Sequence, residues 1–110
     1  MPVSNEFLIF VLDQLAEWGG VTARKMFGGA GLYRDGRMFG LIAGDVVYLK
    51  VDDSNREAFV RAGSSAFKPF ADKPVSLSYY EVPPDVLEVP EELIDWAARS
   101  LAVQSRKKKK

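Results

Sequence analysis

Residues 30–51 read AGLYRDGRMFGLIAGDVVYLKV. Asp35-Gly36 sits between two runs of strand-forming residues, 30–34 and 37–43. Both central residues of a type I′ turn need positive φ, and an Asp-Gly pair supplies them at low cost, so the two runs form a hairpin. Gly44-Asp45 makes a second tight connection into residues 46–51. The stretch is therefore a three-stranded antiparallel meander.

A two-residue turn at Asp35-Gly36 sets the register. It pairs Arg34 with Arg37, Tyr33 with Met38, Leu32 with Phe39, Gly31 with Gly40 and Ala30 with Leu41. One face then carries Tyr33, Met38, Ile42, Val47, Leu49 and Val51, with Gly31 and Gly40 side by side. This is the face expected to pack on helices. The other carries Leu32, Phe39, Leu41, Val46 and Tyr48, fringed by Arg34, Arg37 and Lys50. It is too apolar to face water without a cause. Either a helix of the chain covers it or a partner does, and self-association across the sheet is the next simplest answer.

Outward from the meander, residues 22–27 read as a preceding strand, and Gly28-Gly29 as a turn or bulge. Before that, Ser4 is an N-cap candidate for a helix over residues 5–18. Phe7, Leu8, Val11, Leu15 and Trp18 form its buried stripe, and Gly19-Gly20 stops it. After the meander, Ser54 and Glu57 are spaced as a capping box for a short helix ended by Gly63. Residues 64–74 read as a loop with a short strand near Phe67, and residues 75–82 as a strand stopped by Pro83-Pro84. A short helical turn follows. Pro90 opens a last helix with Leu93, Trp96, Ala97 and Leu101 inward and Asp95 and Arg99 paired four apart on the outside. The fold class is α+β: an antiparallel meander with flanking helices, in helix–strands–helix–strands–helix order.

The chain has 110 residues, 47% hydrophobic and 27% charged, which suits one soluble domain over residues 1–105. Net charge is zero, yet five of the fifteen basic residues lie in residues 106–110. Residues 1–105 thus hold ten basic and fifteen acidic side chains, a net of −5. A basic, disordered tail on an acidic body is a solvated terminus or a contact for nucleic acid or another acidic surface. The longest apolar run, residues 7–12, is too short to cross a bilayer and lacks the flanks of a signal peptide. A cytoplasmic protein without membrane contact is expected.

There is no Cys and no His. Thiol catalysis, Cys/His zinc sites, the usual haem and iron–sulfur ligation and a Ser–His–Asp triad are excluded. Residues 27–31, FGGAG, lack the Lys-Ser/Thr of a phosphate loop and lead into a strand, not a helix. Asp52-Asp53 would need a third carboxylate to hold a hard cation, and suits a helix start better. No catalytic residue, cofactor or metal is expected, and an enzyme is the weakest class. Arg24 and Lys25, with Arg34, Arg37, Phe39, Tyr48 and Lys50, interleave bases and aromatics as a base-stacking sheet does, though no RNA-binding motif is present. As core residues, Phe39 and Tyr48 have the simpler reading.

RKMFGGAGLY at residues 24–33, DGRMF at 35–39, VYLKVD at 47–52, SLSYYEVP at 76–83 and LIDWA at 93–97 together resemble the TfoX N-terminal domain family of TfoX/Sxy competence regulators. The likeness spans roughly residues 5–104. It implies an α+β architecture similar to that of type III secretion chaperones. It also implies a role in transcriptional regulation of competence through protein partners such as a CRP-type regulator, without catalysis. The full-length regulators carry a second, C-terminal domain, whereas this chain ends in lysines. The family offers no catalytic residues to carry over. Its Met-Phe-Gly-Gly motif falls on Met26, Phe27, Gly28 and Gly29, read as structural first and as a contact surface second. The candidate partner-binding set is Arg24, Lys25, Phe27, Gly28, Gly29, Arg34, Arg37, Phe39 and Tyr48. A protein partner is expected first, with homodimerisation and nucleic-acid binding as further readings.

Overall fold

Both predicted turns form with the required backbone. Asp35 and Gly36 have φ of 55° and 75°, and Gly44 and Asp45 both have φ of 59°. The computed structural model describes residues 5–26, 29–66 and 79–107. The elements run α1 (Asn5–Gln14), β1 (Val21–Met26), β2 (Gly29–Arg34), β3 (Arg37–Ala43), β4 (Val46–Lys50), α2 (Arg56–Arg61), β5 (Tyr79–Glu81), α3 (Pro84–Leu87) and α4 (Pro90–Lys107). The five strands form one antiparallel sheet in sequential order. The expected α+β order is what the chain adopts. The Ser4 cap, Phe27, Gly28, the strand near Phe67 and residues 75–78 lie outside the described residues. Two positions expected in the tail, 106 and 107, continue α4.

The helix starts and stops follow local chemistry. α1 tightens at its end, where Trp18 N–H donates to Leu15 O at 3.1 Å, before Gly19 and Gly20 turn at φ of 82° and 76°. α2 ends as a Schellman motif: Ser64 N–H donates to Phe59 O and Gly63 N–H to Val60 O, both at 3.0 Å. Gly63 takes the positive φ, 77°, that this cap needs. The start of α2 departs from the expected capping box. Its N-cap is Asn55, and the Ser54 hydroxyl donates to Asp52 Oδ1 at 2.6 Å. Asn55 is buried, accepts from Asp52 N–H at 2.8 Å and donates to Lys50 O at 3.1 Å. It therefore serves the β4–α2 connection rather than the helix end.

Lys50 O also accepts from the Ser100 hydroxyl at 2.7 Å, tying α4 to the end of β4. Ser100 is completely buried, so its hydroxyl relies on that bond. Ser100→Ala is expected to lower stability by about 1 kcal/mol, read from the urea midpoint.

The register carries the main correction. Arg34 pairs with Arg37 and Tyr33 with Met38, as expected, but Leu32 then pairs with Gly40. Phe39 is an extra residue in β3, a β-bulge, and every pair beyond it is shifted by one: Gly31 with Leu41 and Ala30 with Ile42. A one-residue slip exchanges the faces. Leu32 and Phe39 join Ile42, Val47, Leu49 and Val51 in the buried core. Tyr33 and Met38 go to the opposite face.

The helices of the described residues pack on the core side, through Val11 of α1 with Leu15 just beyond it, Phe59 of α2, Val86 of α3, and Leu93 and Ala97 of α4. Trp18 stands edge-on to Phe39 with centroids 5.3 Å apart, and Phe59 edge-on to Trp96 at 4.7 Å. The Asp95–Arg99 pair forms at 3.2 Å. One edge of β5 is partly covered, since Glu81 N–H donates to Ser65 O at 2.9 Å and Ala66 bridges Tyr80.

Candidate partner-binding surface

Strand alternation places Thr22 and Arg24 of β1, Gly31 and Tyr33 of β2, Met38 and Leu41 of β3, Val46, Tyr48 and Lys50 of β4, and Tyr79 and Glu81 of β5 on the side away from the helices. Their large side chains are half-buried or exposed. Two cations lie over aromatic rings there. The Arg24 guanidinium is 5.4 Å from the Tyr33 ring centroid, and Lys50 Nζ is 4.9 Å from that of Tyr79. The surface is thus three tyrosines among aliphatic side chains, with cations and Glu81 at its margins.

Two of its tyrosines, Tyr48 and Tyr79, hold their protons more tightly than free tyrosine. Burial, and then the charge of Glu81 opposite it in the ladder, raise the Tyr48 phenol above its ordinary value. Burial, and then Tyr33, raise that of Tyr79. Both therefore act as hydrogen-bonding groups and apolar rings, not as bases. Linkage gives the sign: the folded state holds these protons more tightly than the unfolded state. That stability is complete below the ordinary tyrosine value of 10.0 and is lost as pH rises through the raised values. Titration of phenolate absorbance is expected to show Tyr48 and Tyr79 ionising later than free tyrosine. Parallel denaturation should show stability falling over the same range. Ionisation of both at the free value contradicts this.

Of the nine residues expected to bind a partner, Arg24 and Tyr48 are on this surface. Phe39 and Arg34 are not. Phe39 is sealed in the core by the bulge. Arg34 turns to the helix side, where Nε donates to Gly19 O at 2.7 Å and Nη2 to Trp18 O at 3.2 Å. Its guanidinium covers the Trp18 ring at 4.5 Å. It is a clamp on the α1–β1 connection. Arg37, its ladder partner, is half-buried with Nε out of solvent. Lys25 lies beside the start of α1 and reaches Asn5 Oδ1 at 3.5 Å. Gly29 is buried, and a side chain there would strike the Ile42 carbonyl oxygen, so its part is close packing. Phe27 and Gly28 lie outside the described residues.

Tyr33 and Tyr79 are surface members that sequence reasoning missed. A regular register puts Tyr33 in the core, where the bulge turns it outward, and no register legible in the sequence assigns Tyr79 a face. Asp52 and Asp53 serve the start of α2, through Ser54 and through an ion pair with Arg56. Among the described residues no three acidic side chains gather as a metal site.

The TfoX N-terminal domain family matches residues 13–104. The chain belongs to that family. The match takes in the five strands, α2, α3 and α4 as far as residue 104, so the sheet surface lies within the family domain, while most of α1 precedes it. No curated protein matches the chain. Among the described residues no helix is long and apolar enough to cross a membrane.

Proposed function

We propose that this TfoX N-terminal domain is a non-catalytic interaction module that takes part in transcriptional regulation by docking a protein partner on the tyrosine side of its sheet. The observation that carries the reading is the composition of that surface. Tyr33, Tyr48 and Tyr79 are set among Met38, Leu41 and Val46, with Arg24 at the margin. Aromatic residues, Met and Arg are the side chains enriched where protein partners meet. Rings fixed on strands lose little entropy on binding, which favours recognition over a mobile loop.

The test is a pull-down from cell lysate with the unaltered domain and with Tyr48→Glu, checked to be folded by circular dichroism. A discrete protein retained by the first and lost by the second supports the reading. The same proteins retained by both remove this surface from it. A CRP-type regulator is the partner class that family resemblance suggests, and identification of the retained protein decides that point.

Nucleic-acid binding is the second reading, favoured by the Arg24–Tyr33 and Lys50–Tyr79 pairs. Rings beside cations are how sheets hold single strands. Fluorescence anisotropy over a salt series, on the whole chain and on a chain ending at Ser105, separates this from the basic segment. Single-strand binding by the shorter chain favours the second reading. Binding that needs residues 106–110 and fades with salt is counterion release.

A further inference from the structure

We infer that the outward face of α1 docks the basic segment, residues 106–110, of a second copy of this chain. Ile9 is 66% exposed and Phe10 39%, although both lie in a helix whose other side is core. Phe7 backs Phe10 with centroids 6.2 Å apart, which holds that ring at the surface. At about 100° per residue, Glu6 and Asp13 fall on the strip between Ile9 and Phe10. Both carboxylates are exposed, as is Glu17 just beyond the helix. Residues 1–23 contain no Lys or Arg. Among the described residues no ion pair uses these three acids. The face is therefore apolar and acidic together.

Two such helices do not suit each other, because α1 against α1 would oppose carboxylate rows. The complement is a segment with cations on long apolar stems, and the chain carries one: Arg106 and four lysines, Lys107 to Lys110. Lysine and arginine stems lie along apolar side chains while their heads reach carboxylates. α4 runs to Lys107, so the first two cations are carried by a helix of 18 residues. In a two-fold dimer each α1 receives the other copy's segment, which makes the contact twice and closes the assembly. The contacts are small and charge-driven, so the dimer is weak and salt-sensitive.

Sedimentation equilibrium tests this in low (about 50 mM) and high (about 500 mM) salt. The whole chain is expected to dimerise at low salt, with the dissociation constant rising about tenfold or more at high salt. Ending the chain at Ser105, Ile9→Ser, or Glu6→Lys with Asp13→Lys should each weaken the dimer at least as much. All altered positions are exposed or at the chain end, and melting curves confirm folding. A monomer at every concentration overturns the inference. So does a dimer indifferent to truncation and charge reversal. A monomer whose α1 amide resonances move on truncation places the segment on its own α1, and also overturns it. None of these outcomes depends on the sheet surface.

Discussion

Phe39→Ala is expected to lose about 3–5 kcal/mol of folding stability, the usual cost of emptying a fully buried aromatic site. The ring has no solvent contact and stacks edge-on against Trp18, which is itself held by Arg34. The cavity would open under the α1–β1 connection, where little can collapse to fill it. A domain of this size has about 5–15 kcal/mol in all, so the variant should be marginal. Phe39→Asp should not fold, because a carboxylate would be buried without a partner. Urea denaturation followed by circular dichroism checks both. A Phe39→Ala midpoint equal to that of the unaltered chain would place the ring on the surface and restore the regular register.

Gly40→Ala should be damaging for so small a substitution. A methyl group there would sit 2.7 Å from the Tyr48 carbonyl oxygen and 2.9 Å from Leu49 Cδ2. Leu49 can adjust, but Tyr48 O belongs to the paired strand β4 and moves only with the sheet. Overpacking of this kind costs about 1–3 kcal/mol. Gly36→Ala is the comparison. It has open space and a positive φ of 75°, so its cost is local turn strain of about 1 kcal/mol. Equal midpoints for the two variants would contradict the close approach at Gly40.

Much of the architecture was legible because turn chemistry is local. Asp35-Gly36 and Gly44-Asp45 demand positive φ, Pro90 opens a helix, and Gly63 closes one. The bulge was not legible. Residues 38–42, Met-Phe-Gly-Leu-Ile, are apolar at every position, so no alternation says which side chain faces inward. Gly40 has no side chain to report its side. The regular hairpin rule then put Phe39 outside and Tyr33 inside, the reverse of what the fold adopts. Phe39 leaves the expected binding set for that reason. Arg34 moved because Trp18 and the Gly19 carbonyl, fifteen or more residues away in the chain, offer it a ring and two acceptors. Such a long-range bond leaves no mark on nearby sequence. Asn55 escapes for a local reason: its bonds reach only Lys50 and Asp52, and Ser54 beside it offers the more familiar capping pattern. The family resemblance, by contrast, rested on short motifs spread from one end of the fold to the other.

Photo-crosslinking in living cells tests the central claim most directly. p-Benzoylphenylalanine is placed at Tyr48, on the tyrosine side of the sheet, and separately at Val60, which is 57% exposed on α2. The expected result is a discrete crosslinked protein from position 48, lost when Arg24→Glu is added, and none from position 60. The same products from both positions, or none from position 48, would contradict it.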